Sequence, residues 1–333
     1  MATTTTDIRG ARQTSAWARV GARVQQQGAL IALVVLVLLG WWRYGDVGFT
    51  STYNLTSALR YNAMFALIAL GMTFVIMTGG IDLSVGGVAV LSSILAALWS
   101  GYGLWIATGG AVLAGVVVGL INGALVARFG IQPFIVTLAT LLAARGLSLR
   151  LANNASVSVD FDNSFLQLDR SFGQVSVAVV LAGVAYLAGS VLLNFTRFGR
   201  HVLAVGGNEE AARLAGLPVP RTIVSVYALS GGLAGLTGAI LAAQTFTGNP
   251  NEAVGWELSA IAAVVVGGTL LTGGVGSVWT TLIGVLLLGL IINLLNFENL
   301  DPYWQNVIRG LFLLVVIVLQ GRLTRRRAGR APS

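Results

Sequence analysis

An all-α polytopic membrane protein of about ten transmembrane helices, with N and C termini cytoplasmic, is the fold class this 333-residue sequence predicts. Three observations carry that expectation. The chain is 56% hydrophobic and only 10% charged, with a mean hydropathy of +0.82, which is more apolar surface than a soluble chain of this length can bury. Apolar runs near the ~20 residues that cross a bilayer recur along its length. The arginines gather at the two ends and in one central loop, as the positive-inside bias requires.

Taken in order, the candidate spans are 24–42, 61–78, 84–100, 104–127, 133–151, 174–193, 222–244, 258–272, 277–296 and 303–320. The first follows Arg9, Arg12, Arg19 and Arg23, yet Gly40-Trp41-Trp42-Arg43 stands where a signal cleavage site would be, so it is expected to be a retained anchor. Ten crossings put residues 1–23, the loop 194–221 and the tail with Arg322, Arg325, Arg326, Arg327 and Arg330 on one side. The loops expected outside carry most of the acids: Asp46, Asp160, Asp162, Asp169, Glu252, Glu298 and Asp301. Trp41, Trp42, Trp99, Trp105, Trp256 and Trp304 fall near outer span ends, where indole rings favour the headgroup layer. The domain organisation is therefore an arginine-rich segment 1–23, a membrane domain 24–320 and a basic tail 321–333.

Composition also excludes chemistry. There is no cysteine and a single histidine, His201, so thiolate catalysis and a cysteine- or histidine-cluster metal centre are not expected. All 20 basic residues are arginine, so the Gly-Lys-Ser/Thr of a phosphate-binding loop cannot occur. Energy for work on a substrate must come from a partner or an ion gradient. The net charge of +8 reflects sidedness, and no basic patch interleaves with aromatics as nucleic-acid binding requires.

The segment from Leu67 to Ser100 joins two apolar runs through Gly79-Gly80-Ile81-Asp82-Leu83-Ser84. A carboxylate between spans is a functional hypothesis by default, and a glycine break is tolerated only where protein or a water-filled cavity satisfies the backbone. Asp82 has three readings: lining or gating a pathway, capping the following half-helix with Ser84, or pairing with an arginine. The break itself reads as a short cytoplasmic loop or a re-entrant kink. A second break, Gly267 to Gly276, loosely echoes it, and transporters often place broken helices at corresponding positions. Gly79, Gly80, Gly267, Gly268, Asn122, Gln132 and Thr137 join Asp82 and Ser84 as pathway or gating candidates, although interhelical hydrogen bonding would use the same polar groups. Gly115, Gly119 and Gly123, and Gly231 and Gly235, recur at four-residue spacing, a small-residue pattern that lets backbones approach. Arg145 and Arg150 could snorkel outward. Arg309 could pair with Glu257 or Asp301. Glu252 and Glu257 are candidates for docking an outer partner.

The loop 194–221 carries a capped helix over 209–215. Asn208 is suited to the N-cap, Glu209 and Glu210 to the first turn, and Gly216 to the C-terminal stop, with Glu209 and Arg213 at i,i+4. Such a short helix is marginal alone, which suggests docking, although a well-capped connector would carry the same residues.

Glu210-Ala211-Ala212-Arg213-Leu214-Ala215-Gly216 resembles the EAA-x-x-x-G pattern of the coupling loop of ABC importer permeases. Gly71-Met72-Thr73 with Thr78-Gly79-Gly80-Ile81-Asp82-Leu83-Ser84-Val85-Gly86 resembles the signature of the ribose/xylose/galactofuranose-type sugar permeases, within the branched-chain amino acid/sugar permease superfamily. Gln132 to Leu138 and Glu257 to Gly268 resemble further blocks, with a departure at Ser259. The resemblance implies the ABC importer permease fold and a transport subunit that is not itself an enzyme. It implies a second permease subunit (identical or paralogous), a cytoplasmic ABC ATPase carrying ATP and Mg, an extracytoplasmic sugar-binding protein, and a place in the bacterial inner membrane. No cofactor is expected in this chain and no nucleic-acid partner. Asn208, Glu209, Glu210, Ala211, Ala212, Arg213 and Gly216 would then couple to the ATPase. The competing reading is an ion-coupled secondary transporter of a small polar solute, with Asp82 as its one intramembrane acid; a membrane enzyme would want clustered acids, histidines or serine–lysine groups that are absent.

Overall fold

The computed structural model describes residues 28–301 and, beyond them, 303–305, 307, 308, 310, 311, 314 and 318. The expectations for the basic N-terminal segment, for Arg309 and for the arginine-rich tail lie outside the described residues. Seven helices are long and apolar enough to cross a membrane: α1 (Gly28–Val47), α2 (Thr52–Met77), α4 (Leu104–Phe129), α5 (Pro133–Leu151), α6 (Val177–Phe195), α9 (Val219–Thr245) and α11 (Val278–Phe297). Two shorter apolar helices, α3 (Ser84–Leu98) and α10 (Trp256–Val266), accompany them. The loop between α6 and α9 holds α7 (Arg197–Gly207) and α8 (Glu209–Leu214). Among the described residues strand is confined to two short antiparallel pairs, 157–158 with 247–248 and the hairpin 171–172 with 175–176.

Burial sorts these helices into a core and a rim. The second part of α2, Asn62 to Met77, is mostly apolar on every face and buried without interruption, as expected of a helix enclosed by others. α9, α11, α6 and α10 pack around it, while α1, α4, α5 and the far side of α6 keep large apolar side chains such as Ile31, Leu113, Leu142 and Val184 exposed. The stripes of small residues explain how α4 and α9 come so close. A Cβ on Gly115 would overlap the Gly231 carbonyl, one on Gly119 the Tyr227 carbonyl, and one on Gly235 would come within 2.6 Å of the Ala111 carbonyl. The two glycine series therefore face each other and bring backbone against backbone, where dispersion rather than water exclusion holds helices together.

Three expectations change. The expected span 258–272 ends at Val266: α10 has 11 residues, about 16 Å at the helical rise, against a hydrocarbon core of about 30 Å. Gly268, Gly273 and Gly274 have φ of +90°, +85° and +75°, which a continuing right-handed helix cannot use. Trp256 is not an interfacial tryptophan, since it is buried and packs on Phe65 with ring centroids 4.7 Å apart. The segment before α8, expected as plain loop, is the helix α7; Thr196 caps it through the Gly199 N–H, and its apolar residues Val202 and Val205 are buried.

At the end of the bundle opposite α7 and α8, the segment 152–176 is fastened to its surroundings. Val157 and Ser158 pair with Gly248 and Thr247, Asp160 N–H donates to Ser100 Oγ at 2.8 Å, and Arg60 forms an ion pair with Asp169. Gly119→Leu should cost about 3 kcal/mol by overpacking, read as a lowered thermal-unfolding midpoint in detergent. Gly109→Ala, where an added Cβ meets nothing within 4 Å, should leave that midpoint unchanged.

Candidate functional site: a buried carboxylate and a junction of glycine breaks

The break after α2 turns sharply because Gly79 adopts φ +80° and Gly80 admits no side chain, since a Cβ there would lie 2.6 Å from the Tyr227 hydroxyl. This delivers Asp82 into the interior with no exposed surface. One carboxylate oxygen accepts the Ser84 N–H at 3.0 Å and the Ser84 hydroxyl at 2.5 Å. The other accepts the Ser230 hydroxyl of α9 at 2.8 Å. Asp82 thus caps the start of α3, where an anion also gains from the helix dipole. The capping geometry is present, and no arginine is among its hydrogen-bonding or ion-pair partners in the described residues.

Asn122 of α4 donates to Ser84 Oγ at 3.0 Å and accepts from the Thr140 hydroxyl of α5 at 2.6 Å. Thr137 Oγ1 donates to the Ile81 carbonyl at 3.2 Å, and the Tyr227 hydroxyl reaches the same carbonyl at 3.5 Å. Four of the polar residues singled out from sequence (Asp82, Ser84, Asn122 and Thr137) therefore meet in one network tying α3 to α4, α5 and α9. Asp82, Asn122, Thr137 and Ser230 are 0% exposed, so this conformation joins them to one another rather than to an open passage. Gln132 does not join; it is exposed at the start of α5, and its side chain makes no capping bond. Ser230 and Thr140 were not foreseen, because a lone hydroxyl in an apolar helix carries no periodic signal until its partner is known. Gly71 makes room for the approach of Ser230, since a Cβ there would lie 2.8 Å from the Ser230 Cα.

The second glycine break lies against the first. Gly274 N–H donates to the Met77 carbonyl at 2.9 Å, and a Cβ on Gly273 would come within 2.8 Å of both Gly79 N and the Gly206 carbonyl. A Cβ on Gly206 would overlap the Met77 carbonyl, and one on Gly267 the Thr280 carbonyl. The end of α2, the end of α7 and the break between α10 and α11 therefore converge on a junction with no room for side chains. α8 continues from there. Asn208 Oδ1 accepts the Ala211 N–H at 2.9 Å, and Arg213 bonds Glu209 at 2.8 Å. Gly216 ends the helix at φ +77°. Glu209, Glu210, Ala211 and Arg213 are exposed and only Ala212 is buried, while Leu214 is 84% exposed.

The two candidates for docking an outer partner separate. Glu252 is half-buried in the loop before α10. Glu257 is not at an outer surface: it is buried at the start of α10, its carboxylate against Gly86 of α3. Because α10 is short and begins level with Phe65 midway along α2, its first turn lies deep in the bundle. Arg145 reaches the same region, donating to the Ala253 carbonyl at 3.3 Å, so it does not snorkel outward. Among the described residues no three His, Asp or Glu side chains converge as metal ligands would. Asp82→Ala leaves two hydroxyls and an N–H without an acceptor; it should cost about 2 kcal/mol or more in thermal unfolding, with Asp82→Asn, which keeps an acceptor oxygen, costing less.

Residues 54–317 match the family described as branched-chain amino acid transport system / permease component. Among similar proteins, the ribose import permease protein RbsC of Escherichia coli strain K12 is 36% identical over 96% of this chain and 99% of the relative. RbsC of Bacillus subtilis strain 168 is 39% identical over 89% of this chain and 92% of the relative. The L-arabinose ABC transporter permease protein AraH of Azospirillum brasilense is 37% identical over 90% and 89%. No solved structure matches the chain. With most of its length matched and seven membrane-length helices, this multi-pass chain belongs to the branched-chain amino acid transport system permease component family.

Proposed function

We propose that the chain is the membrane subunit of an ATP-driven importer for a monosaccharide of the pentose or hexose class, delivered from outside by a binding protein. The observation that carries this reading is the exposed, capped helix α8 anchored through α7 to the junction of the two glycine breaks. A six-residue helix that buries one side chain and presents Glu210, Arg213 and Leu214 is suited to docking. Because the α7 end of that unit touches the end of α2 and the break between α10 and α11 backbone to backbone, a displacement of α8 has a rigid route into the core. The sugar class is supported by the relatives, whose names specify ribose and arabinose.

In this reading the membrane domain has about ten helices, of which α3 and α10 are too short to cross alone, with both termini cytoplasmic, in the bacterial inner membrane, and works as a pair with an identical or paralogous subunit. A separate ATPase binds ATP and Mg and receives α8; Asn208, Glu209, Ala211, Ala212 and Gly216 shape that helix. Asp82, Ser84, Asn122 and Thr137 tie the moving break to its neighbours, Gly79 and Gly268 give the breaks their turns, Gly80 and Gly267 admit close packing, and Gln132 is exposed outside the tie. Glu252 remains suited to contact with the delivering protein. An ion-coupled carrier would leave the exposed helix α8 without a purpose.

Co-purification in detergent with the genetically adjacent ATPase checks the assignment. Glu210→Arg, and separately Leu214→Glu, should abolish association while the permease stays monodisperse; retention of the ATPase by both variants, or no association of the native chain, would overturn it.

A further inference from the structure

At the end of the bundle opposite α8 the structure holds a cavity of about 560 Å3 between α2, α11 and the residues that follow α11. Its walls come from two matched helical faces. α2 contributes positions 54, 57, 58, 61 and 62, and α11 contributes 289, 292, 293, 296 and 297, the same i, i+3, i+4, i+7, i+8 spacing on both. Five carboxamides converge there: Asn54, Asn62, Asn293, Asn296 and Gln305. Clustering of amides is costly in a membrane domain unless partners satisfy them.

The protein satisfies them only in part. Asn54 and Asn293 exchange hydrogen bonds at 2.8 and 3.3 Å, and Gln305 donates to Asn296 Oδ1 and the Leu300 carbonyl. Asn62 donates to Ala58 O at 2.8 Å, which leaves its oxygen for a ligand. The Asn296 amide hydrogens and the Gln305 oxygen have no bond among the described residues. An amide offers two donors and two acceptor lone pairs, so the unspent set mixes both kinds. No charged side chain is among the described lining residues.

Below the cavity the same helices close. A narrow space of about 20 Å3 shares Asn62, Gly289 and Ile292 with it and is otherwise mostly apolar, with Phe65, Val285 and Leu288 in its wall. That is scarcely more than one water. Asn62 marks the boundary, and Gly289 makes room for it, because a Cβ there would overlap the Asn62 carboxamide.

We infer that this cavity is a binding site for a neutral, polyhydroxylated molecule, with Asn62 at its floor. Sugar hydroxyls are donors and acceptors at once and match unspent amide groups, whereas an ion would find no counter-charge among the described residues. The volume lies within the range of small-molecule sites and admits a monosaccharide with water. The inference deepens the import reading and rests on it for the identity of the ligand: the cavity becomes the sugar's first stop inside the membrane domain, held back by the apolar neck. The same chemistry belongs to a polyol lipid headgroup, and the two sources separate experimentally.

The test uses the full chain in phosphatidylcholine nanodiscs, with radiolabelled D-ribose and L-arabinose in equilibrium dialysis. Saturable binding is expected, weakened at least tenfold by Asn62→Leu and by Asn296→Leu, the second variant guarding against a folding defect in the first. If neither sugar binds but an uncharged glycosyl-diacylglycerol co-purifies with the native chain and is lost from both variants, the site stands with a lipid source. Equal binding by native and variants, or no binding of either ligand, overturns it. ATP-driven uptake by the assembled transporter is scored separately: uptake without such binding refutes this site and spares the import reading, and binding without uptake does the reverse.

Discussion

A carboxylate sealed inside a membrane domain is the constraint on which the rest of this structure turns. Removing such a group from water costs several kcal/mol unless donors replace the lost hydration, and Asp82 receives three: the Ser84 N–H, the Ser84 hydroxyl and the Ser230 hydroxyl. These bonds are only possible if α3 begins immediately after the break and α9 lies alongside it. The glycine contacts of α4 with α9 and of Gly71 with Ser230 make that approach possible. Asn122 and Thr140 extend the tie to α4 and α5. Burial of the charge, the close approach of helices and the short length of α3 are therefore one solution to one problem.

The glycine breaks solve a second problem, that of moving without unfolding. Backbone pressed on backbone, as at Met77, Gly206 and Gly274, leaves no flexible side chain to absorb a displacement. In the proposed importer, a push on α8 would arrive at the end of α2 and at the break between α10 and α11 through carbonyls and amides. Packed interiors shift between discrete arrangements rather than deform smoothly, which suits a passage that must be closed on one side whenever it opens on the other.

Much of this was legible before any coordinates. Hydropathy runs placed the helices, because a backbone in lipid must satisfy itself and so stays helical. Asn208, Glu209, Arg213 and Gly216 announced α8 through capping chemistry that acts within a few residues. The Asp82–Ser84 cap is equally local. What escaped was non-local. α10 was overextended since Val266 and Leu270 look alike to a hydropathy window, and the positive φ values of Gly268 and Gly273 are not visible as sequence. Glu257 and Trp256 were placed at an outer surface by counting span ends, and only the shortness of α10 carries them inward. The amides of α2 and α11 share a helical spacing that could have been read, but Asn54, Asn62, Asn293 and Asn296 gain meaning only when the two faces meet. That the two glycine breaks touch is likewise a property of the fold; their likeness in sequence points at most to a repeat.

The central claim is mechanical: α7 and α8 act as one body joined to the core at the glycine junction. The native chain has no cysteine, so spin labels can be introduced at Leu214 and Tyr53, which are 84% and 82% exposed at opposite ends of the molecule. The decisive measurement is the distance distribution between those labels in the complex with its ATPase, by electron–electron double resonance with and without ATP. The account predicts a discrete shift to a second distance on ATP binding; a single distribution unchanged by nucleotide in an ATPase-competent complex would contradict it.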